Sequence, residues 1–263
     1  MATRARLDAE LVRRGLARSR AQAAELIEQG RVVVRGVPAG KPATVVDRET
    51  PVVVRDTGER QWASRGAHKL IGALDAFGVP VAGRRCLDAG ASTGGFTDVL
   101  LDRGAAEVVA VDVGYGQLVW RLRNDERVHV HDRTNVRGLE PDAIGGPAAL
   151  TVADLSFISL RTVLPALAAC TAPDGELLPM VKPQFEVGRE RLGAGGVVRD
   201  PDLRVAALTE VAAAARALGL RVLGAVASPL PGPAGNVEYF LRLSRGGADA
   251  GDGVLATAVG EGP

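Results

Sequence analysis

Leu87-Asp88-Ala89-Gly90-Ala91-Ser92-Thr93-Gly94-Gly95-Phe96-Thr97, residues 87–97, carries an apolar strand into a helix through a glycine turn. Glycines at such a turn let the backbone approach a ligand closely and take conformations closed to other residues. In an open α/β sheet, ligands bind at the carboxyl ends of the strands, beside this turn. The spacing is G-x-x-x-G-G, not the G-x-G-x-x-G of dinucleotide binders, and no Lys-Ser/Thr follows as in a P-loop. Asp88, Gly90, Ala91, Ser92, Thr93, Gly94, Gly95 and Phe96 are therefore candidate cofactor contacts.

The pattern around this stretch alternates. Strands fit 85–89, 107–113, 128–131, 149–154, 176–181, 221–228 and 238–245, with helices at 95–103, 117–123, 160–168 and 201–218. An amphipathic helix at 67–78 precedes them, with Leu70, Ile71, Leu74 and Phe77 inward. Such alternation predicts an α/β fold, a Rossmann-like, mostly parallel sheet of seven strands. The last two strands are joined by the Pro/Gly-rich loop SPLPGPAG, so the final strand is expected to be antiparallel. That plan is usual for S-adenosylmethionine-dependent methyltransferases. Asp112 tips the second strand, 24 residues after Asp88, where such folds place an acid on the ribose hydroxyls. Val113 follows it. Asp132 and Arg133, after the third strand, are placed to meet the adenine edge.

Residues 1–60 read differently. They hold 12 Lys and Arg against 8 Asp and Glu, while the chain as a whole is only +1. A basic front module on a slightly acidic body points to an anionic partner. Two short helices fit 4–30, the second opened by a Ser19/Gln22 capping box and stopped by Gly30. A strand at 31–35, a Gly36-Val37-Pro38 turn and β segments at 43–46 and 51–55 complete a small α+β unit. The expected division is a front module at 1–59, a linker at 60–63, a catalytic domain at 64–245 and a loosely ordered tail at 246–263.

Composition sets limits. With 46% apolar and 24% charged residues, the chain is an ordinary globular protein rather than a disordered or fibrous one. No apolar run reaches the ~18–20 residues that span a bilayer, and the N-terminus lacks the apolar core of a secretory signal. Cys86 and Cys170 have no metal-ligand spacing, so no metal site is expected. Both are expected to be reduced, buried and inert, in a cytoplasmic protein that works as a monomer.

The catalytic candidates sit at strand ends. Asp154 closes the fourth strand within ADLSFISL, and Lys182 closes the fifth within VKPQFE. Lys69 lies on the helix before the first strand, and Glu238 starts the last. Lys69, Asp154, Lys182 and Glu238 follow the K–D–K–E order of ribose 2′-O-methyltransferases. A ribose hydroxyl is a poor nucleophile and must lose its proton as it attacks. A free lysine, with a pKa of about 10.4, is a weak base at neutral pH unless burial and a second cation lower it. The pattern assigns Lys182 as general base or hydroxyl-orienting group, Lys69 as the second cation, and Asp154 and Glu238 as their counter-charges.

Several of these segments together resemble one family. RLDAELVRRGLARSRAQAAELIEQGRVVVRG (6–36) looks like an S4 domain, a small RNA-binding fold. SRGAHKL, LDAGASTGGFTDVLL, VDVGYGQL, ADLSFISL, VKPQFEVGRE and GNVEYF then match the TlyA family in order, from residue 4 to about 245. The resemblance implies a haemolysin-like, S4-domain 2′-O-methyltransferase of cytidines in 16S and 23S ribosomal RNA, using S-adenosylmethionine, with ribosomal RNA or subunits as partner. It puts the catalytic tetrad at Lys69, Asp154, Lys182 and Glu238. Arg4, Arg6, Arg14, Arg18, Arg20 and Lys41 are the expected phosphate contacts, with Arg65 continuing the basic surface. Phe157 reads first as core; its alternative is to support a flipped base, with Tyr115. A non-enzymatic RNA-binding or haemolysin-like protein is the rival. Pseudouridine synthase is a weaker one, because Arg6-Leu7-Asp8 lies in the front module and not in a catalytic domain.

Overall fold

The computed structural model describes residues 4–17, 19–55 and 60–262. The chain divides into two compact units, Met1–Gln61 and Trp62–Pro263.

In the first unit, β1 (Ala5–Arg6) leads into α1 (Leu7–Arg13) and α2 (Arg20–Glu28), followed by β2 (Val32–Val34), β3 (Val37–Pro38), β4 (Val45–Val46) and β5 (Val52–Val54). Ser19 caps α2 by accepting from Gln22 N at 3.2 Å. Leu7, Leu11, Ala23, Leu26, Ile27, Val32 and Val46 form its core. The strands make two small antiparallel sheets, β1-β4 and β3-β2-β5.

The second unit begins with Trp62 and Ala63 packed onto its core, so half of the expected linker belongs to this body. Its elements are α3 (Gly66–Phe77), β6 (Arg85–Ala89), α4 (Gly95–Asp102), β7 (Glu107–Val111), α5 (Trp120–Arg123), β8 (Val128–His131), β9 (Ala148–Ala153), α6 (Leu160–Ala169), β10 (Thr171–Val181), α7 (Pro183–Glu186), α8 (Pro201–Ala217), β11 (Arg221–Ala227), β12 (Tyr239–Ser244) and α9 (Gly253–Gly260). The sheet order is β11-β12-β10-β9-β6-β7-β8, with β12 antiparallel to both neighbours and β6 to β10 mutually parallel. Successive strand residues face opposite layers: Leu87 and Val109 enter the core shared with α6, α8 and α9, while Cys86 and Val108 enter the one shared with α3 and α4. The strand order turns back between β6 and β9, and the ends of these two strands flank the crevice expected for a ligand.

Two expectations are corrected. Residues 246–262 are not a loose tail. Leu255, Ala258 and Val259 of α9 are buried in the main core, and Arg216 grips Asp249 and Asp252 at 2.8 and 2.7 Å. Apolar side chains at helical spacing outweigh the Gly/Ala-rich composition there. Phe157 is not core but 92% exposed. Both cysteines are free and buried, and burial pushes their thiols up to about 12 at Cys86 and about 11 at Cys170.

Candidate active site

The turn after β6 is shaped by contact. Gly90 has φ +89°, and a Cβ there would stand 2.5 Å from the Asp154 carbonyl oxygen. Gly90 N and Ala91 N both donate to Val111 O, while Asp154 N donates to Ala89 O at 3.0 Å. The ends of β6, β7 and β9 are thus laced together around one turn.

Three acids line this region. Asp88 is fully buried; its Oδ2 accepts from Thr97 N at 2.9 Å and from Thr97 Oγ1 at 2.7 Å. Its Oδ1 is buried with no hydrogen-bond partner among the described residues. Burial pushes the Asp88 carboxyl up to about 7, against the pull of the Thr97 bonds and with some repulsion from Asp154 and Asp112. Asp112 stands one residue beyond β7 and accepts from Ser92 N at 2.8 Å and Gly114 N at 2.7 Å. Each of its oxygens keeps acceptor capacity for a diol. Asp132 accepts from Arg123 at 3.0 Å and Gly116 N at 3.2 Å, and the Arg123 guanidinium holds its carboxyl below the usual range.

The other cofactor candidates divide by exposure. Ser92, Val113 and Arg133 are exposed, and the Arg133 guanidinium lies 4.3 Å from the Tyr115 ring centroid. Thr93 is half-buried, whereas Ala91, Gly94 and Gly95 are buried. Phe96 is packed in the core with its ring 6.0 Å from that of Phe240, so only its backbone is available to a ligand.

Four charges meet as two pairs. Lys69 Nζ donates to Glu238 Oε2 at 2.5 Å, both side chains buried. Lys182 Nζ donates to Ser156 Oγ at 2.9 Å and lies 2.6 Å from Asp154 Oδ1, an ion pair rather than an aligned hydrogen bond. The register sets the pairs side by side: Tyr239 is opposite Val181, so Glu238 comes one step further, beside Lys182. Lys69 arrives because α3 approaches closely. A Cβ at Gly72 would stand 2.8 Å from the Pro229 ring, so the missing side chain lets the helix touch the loop after β11. Each buried lysine therefore has one carboxylate, and removing either partner would leave a charge uncompensated.

Ser156 escaped the sequence pattern although it lies within ADLSFISL, because its role depends on a lysine from another strand. Glu186, within VKPQFE, escaped because its partners, Ser159 and Leu160, come from the segment after β9. Of the basic candidates, Arg6 and Arg20 share the buried Asp8 at 3.0 and 2.9 Å and remain at least half exposed. Arg4, Lys41 and Arg65 are exposed. Arg14 is instead absorbed into its own unit, bonded to Glu10 and to the carbonyls of Thr50, Asp47 and Arg48. Arg18 lies outside the described residues.

The comparisons extend over both units. Residues 62–245 match the family of FtsJ-like methyltransferases, and residues 5–52 match the S4 domain. The 16S/23S rRNA (cytidine-2′-O)-methyltransferase TlyA of Mycobacterium tuberculosis is 67% identical over 243 residues, 92% of this chain and 91% of that protein. Hemolysin A of Brachyspira hyodysenteriae is 36% identical over 240 residues, 90% and 99% of the two chains. A solved structure of a hemolysin from Streptococcus thermophilus gives a TM-score of 0.78 at 37% identity, covering 99% of this chain and 96% of that one. The chain belongs to the TlyA family, in which an S4 domain precedes an FtsJ-like methyltransferase domain.

Proposed function

We propose that this protein is an S-adenosylmethionine-dependent methyltransferase that modifies the ribose 2′-hydroxyl of cytidines in ribosomal RNA, as a cytoplasmic monomer. One observation carries the reaction class. Two lysine–carboxylate pairs, Lys69–Glu238 and Lys182–Asp154, stand at neighbouring strand ends beside the glycine turn. The names of the M. tuberculosis and Campylobacter jejuni relatives support ribosomal cytidine as the target.

The residues present fit the cofactor. The Gly90 turn lets the ends of β6 and β9 close on one another, Asp112 offers acceptors for ribose hydroxyls, and Asp88 Oδ1 is a buried acceptor still to be satisfied. Asp132 and Arg133 would flank the adenine, with the backbone of residues 90–96 along the remainder. S-adenosylmethionine, when bound, supplies an electrophilic methyl group on a sulfonium sulfur. Lys182 Nζ, fixed by Asp154 and Ser156, is placed to orient the 2′-hydroxyl and to take part in removing its proton as the methyl group is transferred. The Asp154 carboxylate balances the charge on Lys182. Lys69 and Glu238 add a charge-balanced wall that keeps the acceptor sugar aligned, and alignment supplies much of the rate. Phe157, with the Phe185 ring 5.3 Å away, and Tyr115 offer stacking surfaces for an unstacked base. Arg4, Arg6, Arg18, Arg20, Lys41 and Arg65 would contact phosphates, since structured RNA is read largely through its backbone.

Lys182→Ala should abolish methyl transfer to ribosomal RNA, read by mapping 2′-O-methylation, while calorimetric affinity for S-adenosylmethionine changes less than about twofold. Full methylation by this variant would sink the assignment. Absence of transfer by the wild-type protein, with RNA binding intact, would favour a binding role alone.

A further inference from the structure

Glu186 is buried at the end of α7, four residues past Lys182, and has no part in the chemistry above. Its carboxylate crosses to the segment after β9: Oε2 accepts from Ser159 Oγ at 2.6 Å and Oε1 accepts from Leu160 N at 2.7 Å. Arg161 Nε is 3.5 Å from Oε2, and Arg161 also reaches Glu210 at 2.8 Å. The same two segments are joined at their other end by Lys182 on Asp154 and Ser156. Between the two attachments lies Phe157 at φ +64°. A left-handed conformation at an aromatic residue persists only where its surroundings over-determine it. Two staples on one short segment supply that constraint.

We propose that Glu186 is a positioning residue for methyl transfer: it holds the post-β9 segment in register, so that Asp154 and Ser156 meet Lys182 Nζ. This role rests on Lys182 being the group that holds the ribose hydroxyl. The plainer alternative is that Glu186 only caps α6, whose first amide it accepts. Loss of a cap lowers stability and leaves turnover intact, whereas loss of register lowers turnover while binding is spared.

The test uses full-length Glu186→Ala, Glu186→Gln, Ser159→Ala and Lys182→Ala proteins, assayed well below their thermal midpoints. Glu186→Ala should lower kcat about 100-fold, the scale of a small misplacement of reacting groups. KM for RNA and affinity for S-adenosylmethionine should stay within about twofold of wild type. Glu186→Gln should recover most of kcat, because its amide can still accept from Leu160 N and donate to Ser159 Oγ. Ser159→Ala should lose kcat in the same direction, and adding it to Glu186→Ala should cost little more. Wild-type kcat in Glu186→Ala beside an inactive Lys182→Ala overturns the inference alone, as does a kcat loss matched by an equal loss of cofactor affinity. Wild-type kcat in Lys182→Ala overturns the reading of the site, and the inference with it. Should Glu186→Ala not fold, wild-type kcat in Ser159→Ala decides against the proposal.

Discussion

At Gly90 one absent methyl group decides whether the cofactor turn can form. A Cβ would press on the Asp154 carbonyl, and the positive φ adds strain. Gly90→Ala should therefore cut S-adenosylmethionine affinity at least tenfold, an effect of about 1.4 kcal/mol, and calorimetry giving wild-type affinity would refute the contact. Asp88 sets a pH dependence. Its folded carboxyl titrates at about 7 because of burial, while an unfolded aspartate titrates at about 3.9. Between these values the folded state keeps a proton that the unfolded state releases. Stability should fall as pH rises from about 4 to about 7 and then level off. Asp88→Asn should flatten the drop in thermal midpoint between about pH 5 and about pH 7.5, and an unchanged drop would assign it to other groups. The sequence made residues such as Lys182 and Asp154 legible, because a charge at the tip of an apolar strand stands out. Ser156 and Glu186 were not, since their meaning lies in partners from distant parts of the chain. Arg14 misled for the converse reason: a basic residue in a basic module reads as a phosphate contact until its guanidinium is seen to bind carbonyls of its own chain.

Among the elements, the parallel strands were legible almost to their ends, because each is a short apolar run bounded by turn residues. β10 starts at Thr171 rather than 176, with an irregular register between Thr171 and Glu176, since Pro173, Asp174 and Gly175 mask its extended backbone. The helix expected at 117–123 shrinks to Trp120–Arg123, because Val119 is extended, at φ −60° and ψ 144°, and caps the helix from outside. α9 was hidden altogether, as its anchors come from distant elements, Arg216 and the face of β11. Deleting residues 246–263 should destabilise the second unit by about 4 kcal/mol, the scale of uncovering a leucine, a valine and an alanine. Thermal unfolding checks this, and an unchanged midpoint would return the segment to a dispensable tail. Arg216→Ala should act more gently, raising amide exchange over residues 249–260 without shifting the remaining protection.

For the whole molecule, the uneven charge of the two units matters most. The first 60 residues carry the excess of Lys and Arg, so RNA affinity should fall linearly with the logarithm of salt concentration. The Arg6→Glu, Arg20→Glu double variant should weaken ribosomal RNA binding and lower the salt slope by about 2, with S-adenosylmethionine affinity unchanged. An unaltered slope would remove these arginines from the interface. The two units also differ in how far along the chain they are completed. Lys69 and Glu238 are 169 residues apart, and β12, just after Glu238, is the last strand added to the sheet. Chains emerging from a ribosome generally fold their N-terminal parts first. A half-synthesised copy therefore already has its first unit but no assembled set of four charges. If the first unit binds RNA as proposed, a chain truncated before Glu238 should hold RNA without methylating it, and adding it to a methylation assay of the full-length protein should lower the yield.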